Sequence, residues 1–129
     1  MQDFTVVISP RFYETDALGH INNASIAAWF EVARMSFLEN LAEGDSGVIS
    51  DWVLASMQID FIAETFYGAD VIARICEASI GNSSFTVVCE MTQGEKVTVR
   101  GRAVLVHLDP STKSPARISD HLREALAAR

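Results

Sequence analysis

The sequence predicts an α+β fold in which an antiparallel sheet curls around one long central helix. Two observations predict it. A helical run from Asn23 or Ala24 to about Ala42 is apolar over most of its circumference, with Glu31, Arg34, Glu39 and Glu43 forming only a narrow polar stripe. Such a helix calls for wrapping by other structure rather than a seat on a surface. After a polar stretch, everything from residue 52 to 108 reads as strand. A sheet curled around the helix satisfies both patterns. With 129 residues there is room for one core, hence one domain spanning 1–129.

Taken in order, "FTVVISPR" (4–11) reads as a strand ending near Pro10. The long helix follows, with Gly44 as its stop. "WVLASMQIDFIAETF" (52–66) is a long strand in which Ile59, Phe61 and Ala63 alternate with Asp60, Ile62 and Glu64. "DVIARICEAS" (70–79) follows the Tyr67-Gly68 turn, and "GNSS" (81–84) is a turn because Gly and Asn tolerate positive φ. "FTVVCEM" (85–91) and "VTVRGRAVLVHL" (97–108) are joined by a hairpin-length link containing Gly94. Pro110 and Pro115 break the β pattern, and a short helix over 118–128 starts at Ser119 or Asp120. The order β-α-β-β-β-β leaves an edge strand exposed, and pairing with a second copy is the simplest cover for it.

Composition excludes several classes. Apolar residues make up 49% and charged residues 21%, as in an ordinary globular chain. The net charge of −7 argues against a nucleic-acid partner. No basic n-region of a signal peptide opens the chain, and no apolar run approaches a membrane span. Cys76 and Cys89 lie in apolar, strand-like surroundings, which reads as two buried free thiols and a reducing cytoplasm. The charge is uneven. Residues 1–95 hold 14 acids and three bases, whereas 96–129 hold seven bases and three acids. That asymmetry marks either a surface that meets an anion or a basic tail neutralising an acidic body. No G-x-S-x-G elbow, P-loop, dinucleotide fingerprint or metal-ligand cluster occurs.

The densest polar motif is "YETDALGHINNASIAAWFEVAR" (13–34), an acid, a glycine, a histidine and two asparagines directly before the apolar helix. The pattern Y-x-T-D-x-x-G-H-I-N-N followed by W-F-E-x-A-R resembles the start of hotdog-fold acyl-CoA thioesterases, the group that includes 4-hydroxybenzoyl-CoA thioesterase. "F-x-x-x-x-x-Y-G-A-D" (61–70), "I-G-N-S-S-F" (80–85) and "D-H-L-R-E-A-L" (120–126) are similar to that family too, so the resemblance covers nearly the whole chain. It implies a helix wrapped by a curled sheet, a sheet continuous across a homodimer, and often a homotetramer. It also implies hydrolysis of an acyl-CoA thioester, or of an acyl group on a carrier protein, without metal or redox cofactor.

Thioester hydrolysis needs an oxyanion stabiliser and a group that attacks the carbonyl or activates water. The free N–H groups and positive dipole end of a helix provide the first. Asp16 lies seven residues before Asn23, far enough for a short loop to bring its carboxylate back to the helix start. Read in isolation Asp16 could simply cap a turn. The resemblance implies instead that Asp16 is the catalytic carboxylate, as nucleophile or general base, and that the Asn23 backbone N–H polarises the carbonyl. Gly19 suits a loop whose backbone approaches substrate, and His20 either orients that loop or contacts substrate.

Some relatives carry a histidine where this chain has Asn23. Glu64 is the alternative carboxylate, and a Ser83 or Ser84 hydroxyl could touch the acyl group. Glu31 and Arg34, at i, i+3, read as a surface or interface pair. Arg100 and Arg102 share one face of a strand, with Val97, Val99 and Ala103 on the other. Facing outward, the two arginines either meet the phosphates of coenzyme A or pair with acids of neighbouring strands. Lys113 and Arg117 come next as phosphate ligands. A hotdog hydratase or dehydratase, or an acyl-CoA-binding protein without catalysis, is the alternative function.

Overall fold

The computed structural model describes residues 2–43 and 51–129. Strand β1 (Phe4–Ile8) leads through a 3-10 turn (Phe12–Glu14) to helix α1 (Asn23–Leu41). Strands β2 (Trp52–Phe61), β3 (Val71–Ile80), β4 (Ser84–Gln93) and β5 (Lys96–His107) follow, and helix α2 (Asp120–Ala127) closes the order. The five strands form one antiparallel sheet in the order β1-β3-β4-β5-β2. β1 and β2 are therefore its edges. Gly44, expected to stop α1, lies outside the described residues; the helix itself ends at Leu41, with Ala42 N–H bonded to Leu38 O at 2.9 Å.

The strand pattern of the sequence holds with shifted ends. β2 stops at Phe61 rather than 66 because the next two N–H groups, of Ile62 and Ala63, both turn onto Thr98 O at 2.9 and 3.0 Å. β1 stops at Ile8, short of residue 11, and Ser9 instead bonds Asp70 through its hydroxyl.

Helix α1 presses Ile26, Trp29, Phe30, Ala33, Phe37, Leu38 and Leu41 into the core. Phe37 sits between the rings of Phe4 and Phe85 at 5.3 and 6.3 Å. The fully buried ring makes Phe37→Ala a change costing about 3–5 kcal/mol. Close approach of helix to sheet needs Gly101, since a Cβ there would lie 2.8 Å from the Phe30 ring.

Two expectations about α1 change. A single chain does not wrap the helix fully: Ala24 and Ala28 are exposed and Val32 is 50% exposed, because one five-stranded sheet covers only one side. Arg34, expected on the polar stripe, is buried at 5% exposure. Beside the open side of the helix, edge strand β2 carries exposed Val53, Leu54, Met57 and Phe61.

Both cysteines are free, with Cys89 buried and Cys76 half-buried. Burial pushes the Cys89 thiol up to about 12, with Cys76 and Glu90 adding to the effect. It is thus an inert core side chain.

Candidate active site

Residues 11–22 form a compact loop built on Glu14. Its Oε1 accepts from Arg11 N–H at 2.7 Å, its Oε2 from Trp29 Nε1 at 2.8 Å, and its carbonyl from Asn22 N and Nδ2 at 2.8 and 2.9 Å. One residue thereby ties the 3-10 turn to both the start and the second turn of α1. The sequence reading missed it. The available signal was local, an acid three residues after Arg11 in a reciprocal capping arrangement; its bond to Trp29, fifteen residues on, has no sequence signature.

From Thr15 to Ile21 the chain doubles back as a tight hairpin, with the Asp16 N–H on His20 O at 2.7 Å. Gly19 turns it with φ +81°, a conformation that favours glycine. Asp16 Oδ1 accepts the N–H groups of Leu18 and His20 at 2.8 and 3.0 Å. One oxygen of the carboxylate is therefore the turn cap that the residue alone suggested. The other, Oδ2, has no partner among the described residues, and the side chain is exposed.

Asn22 is the helix N-cap, and its Oδ1 accepts from Ser25 N at 2.8 Å. Asn23 is the first helical residue. The N–H groups of Asn23 and Ala24 precede the first intrahelical bond, Ile26 N to Asn22 O, and are without partners among the described residues. With the dipole end of a 19-residue helix behind them, they suit a developing negative charge.

The segment after β2 closes the other wall. Ile21 N–H bonds Thr65 O at 2.9 Å and His20 bridges to Phe66. Between them lies a cavity of about 240 Å³ lined by Asn23, Ile26, Phe61, Ile62, Glu64 and Thr65. Thr65 is 3% exposed and its Oγ1 has no hydrogen-bond partner among the described residues. Nothing in the sequence singled it out.

His20 Nδ1 lies 3.3 Å from Glu64 Oε2, and its ring meets Phe66 edge-on at 5.0 Å. A carboxylate only accepts, so Nδ1 carries a hydrogen there. The loop and the two carboxylates thus converge: His20 touches Asp16 through its backbone and Glu64 through its ring. An exposed apolar rim of Phe12, Tyr13 and Leu18 borders the loop, with Phe12 against Tyr67 at 5.9 Å.

The remaining candidates separate. β4 runs from Ser84 to Gln93, and Gln93 Nε2 bonds the carbonyls of Phe66 and Ala69 beside the loop at 2.6 and 3.0 Å. Ser83 and Ser84 therefore stand at the far end of that strand, about 30 Å away within one chain. They cannot touch an acyl group at the start of α1 there.

Arg100 and Arg102 face away from the helix, while Val99, Gly101 and Ala103 face it. The two arginines differ. Arg100 is ion-paired to Glu90, which also holds Arg74 at 3.1 Å. Burial pushes Glu90 up, but the hydrogen bonds from Arg100 and Cys76 and the charges of both arginines outweigh it and hold the carboxyl below its usual range. Arg102 is exposed and has no partner among the described residues. Both line an outer cleft of about 250 Å³ with Gln58, Asp60 and Glu77. Arg117 pairs with Asp120 at 2.9 Å, and Lys113 is exposed. No described helix is long and apolar enough to cross a membrane.

Known proteins share this architecture. A predicted thioesterase from Bacillus stearothermophilus is 35% identical, superposes with a TM-score of 0.89, and the match covers 98% of this chain and 96% of that one. A thioesterase from Thermus thermophilus, crystallised with coenzyme A and zinc, is 28% identical with a TM-score of 0.82, covering 96% and 91%. The uncharacterized protein YsmA of Bacillus subtilis (strain 168) is 27% identical over 121 residues, 92% of this chain and 82% of that protein. Residues 10–126, the span that holds the loop, the helix and the whole sheet from β2 onward, match the Thioesterase-like superfamily. The chain is a hotdog protein and belongs to that superfamily.

Proposed function

We propose that the protein hydrolyses an acyl-CoA thioester to the free acid and coenzyme A. The observation that carries this is the pair of N–H groups of Asn23 and Ala24, unpartnered among the described residues, at a helix start where Asn23 lines a cavity beside a loop that presents Asp16 Oδ2. The thioester carbonyl oxygen rests on the two N–H groups, which stabilise the oxyanion as it forms. Asp16 then attacks the carbonyl carbon to give an anhydride that water cleaves, or takes a proton from the water that attacks. In either route the C–S bond breaks and the thiolate leaves to be protonated as the coenzyme thiol. Gly19 lets the loop turn close to substrate, and His20, held by Glu64, orients it. Similarity to a thioesterase crystallised with coenzyme A supports the choice of substrate.

The active unit is a homodimer or homotetramer. Edge strand β2, ten residues long with exposed apolar side chains, supports this reading. In that assembly the cationic outer face, Arg102 foremost and Arg100 beside it, meets the phosphates of coenzyme A.

The test is thiol release from short, medium, long and aromatic acyl-CoAs, with the same acyl groups on a carrier protein alongside. Release of free thiol from at least one series supports hydrolysis. Hydration of an enoyl-CoA with no thiol released would make the protein a hydratase. Tight binding with neither reaction would make it an acyl-CoA carrier.

A further inference from the structure

Arg34 is the only charged side chain buried among the described residues. Its partners are poor. Nη2 lies 3.7 Å from Oε2 of the exposed Glu31, Nη1 lies 3.8 Å from the thioether of Met57, and Nε has no hydrogen-bond partner among the described residues. A guanidinium has five N–H donors, and a sulfur is a weak acceptor for any of them. Burial pulls its pKa below the usual arginine value, opposed by the charge of Glu31. A second orphan shares a cleft with it: Trp52 Nε1, buried and also without a partner among the described residues. Arg34 and Trp52 line the same cleft of about 240 Å³, with Met35, Leu54 and Leu105 as its apolar walls and the exposed Glu31 at its rim. Two donors unmet among the described residues, with the Glu31 carboxylate too far at 3.7 Å to hydrogen-bond Arg34, describe a receptor for a further acceptor that is charged and small.

The position of that cleft relates it to the thioester site. Ile26, Phe30 and Arg34 fall at spacings of four and share one helix face. Phe61, Ile59 and Met57 alternate along β2 and share one sheet face. The two rows meet in a seam. Its near end is the cavity at Asn23, lined by Ile26 and Phe61. Its middle is a waist of about 10 Å³ lined by Phe30, Met57 and Arg34. Its far end is the Arg34–Trp52 cleft. Arg34 is eleven residues beyond Asn23, or about 16 Å along the helix axis, and its side chain leans back toward the helix start.

We propose that the Arg34–Trp52 cleft receives the far-end carboxylate of the substrate's acyl group, so that the preferred substrates are ω-carboxyacyl thioesters of roughly eight to twelve carbons, a length set by about 1.2 Å per extended bond over that span. The inference rests on the thioesterase reading and names its substrate class. The arginine fork holds both carboxylate oxygens and the indole N–H adds a third donor. A methyl end would leave all three donors dry and unmet. Met57, flexible and 39% exposed, yields at the waist as the chain passes, and in doing so frees Nη1.

The test compares thiol release from decanoyl-CoA with release from the mono-CoA ester of decanedioic acid, in the wild type, Arg34→Met and Trp52→Phe. The expected result is a wild-type kcat/KM at least about tenfold higher for the dioic ester, lost in Arg34→Met and reduced in Trp52→Phe, with decanoyl-CoA turnover within about threefold throughout. A wild type that treats the two esters alike, or an Arg34→Met protein that loses both equally, overturns the proposal. If Arg34→Met does not fold, calorimetry of free decanedioate against decanoate on the wild type decides, and equal binding overturns it. That measurement also separates the two readings, since selective binding of the diacid without thiol release would sink hydrolysis and leave the receptor standing. Dissociation of Arg34→Met into monomers, with no wild-type preference for the diacid, would assign the cleft to a carboxylate of a second copy and end the substrate role.

Discussion

Trp29 Nε1 donates to Glu14 Oε2 at 2.8 Å, and that bond ties the loop of residues 11–22 to the body of the helix that follows it. Removing the acceptor leaves a buried indole donor unmet as well as freeing Arg11 N–H. Glu14→Ala should therefore lower stability by about 1–3 kcal/mol, seen as a melting temperature several degrees lower. Trp29→Phe removes the donor instead, so the double variant should lose less than the two singles combined. Simple additivity in thermal melts would show that the bond does not couple the two elements.

Asp16 has one oxygen committed to its own turn and one without a partner among the described residues. Asp16→Asn keeps the acceptor for Leu18 and His20 and removes the negative charge. The expected outcome is a native melt with kcat reduced at least about a hundredfold. Asp16→Ala should lose as much activity and some stability too, because its turn is uncapped. Near-wild-type turnover by the Asn variant would move the chemistry to Glu64.

The exposed edge of β2 and the uncovered side of α1 carry a prediction about assembly. No stable monomer should exist at micromolar concentration. Light scattering reporting a well-folded species of 14.1 kDa would contradict it.

Arg102 and Arg100 should behave differently under mutation. Arg102→Ala removes an exposed cation without partners among the described residues, so KM for acyl-CoA should rise at low salt with kcat nearly constant, and the penalty should shrink as salt screens the contact. Arg100→Ala strips Glu90 of a partner and should cost stability as well. An unchanged KM at low salt in Arg102→Ala would send the phosphates elsewhere, to Lys113 first, since Arg117 is already paired.

Glu90 makes stability depend on pH in a definite direction. Its folded pKa is depressed, so its stabilising contribution is present above the range where an unfolded glutamate titrates and is lost as pH falls through the lower, folded value. Denaturant melts from neutral to acid pH should show this loss, and Glu90→Gln should have a shallower acid slope. Equal slopes would mean that other carboxylates govern acid unfolding.

The fold was legible because its signals are periodic. An all-round apolar helix and alternating strands state their period in a window of ten residues, and the Gly94 and Gly68 turns state where chains reverse, at φ +64° and +106°. The ends of elements were not, since β2 ends where two N–H groups converge on Thr98 O, contacts across 36 and 35 positions. Within the site, Asp16, Gly19, His20 and Asn23 sit in one contiguous motif and could be read together. Glu14, Thr65 and Arg34 could not. Their roles depend on Trp29, on Ile21 and on burial against β2, relationships that no local spacing encodes. The sequence left Arg100 and Arg102 between two roles, because only register puts Glu90 opposite the first.

Gly101 has a bearing on how this seam could change. The Phe30 ring lies against bare backbone there, and any β-carbon would collide with it at 2.8 Å. Positions 30 and 101 are thus mutationally entangled: Gly101→Ala becomes tolerable only once Phe30 has shrunk, for instance to leucine. Since that ring is also a wall of the waist, the order of the two steps matters. Trimming Phe30 first opens the space that a β-carbon at 101 needs, whereas enlarging residue 101 first forces the Phe30 ring to shift. Under the proposal that an acyl chain passes this waist, a wider passage starts on the helix, at Phe30, and not on the strand.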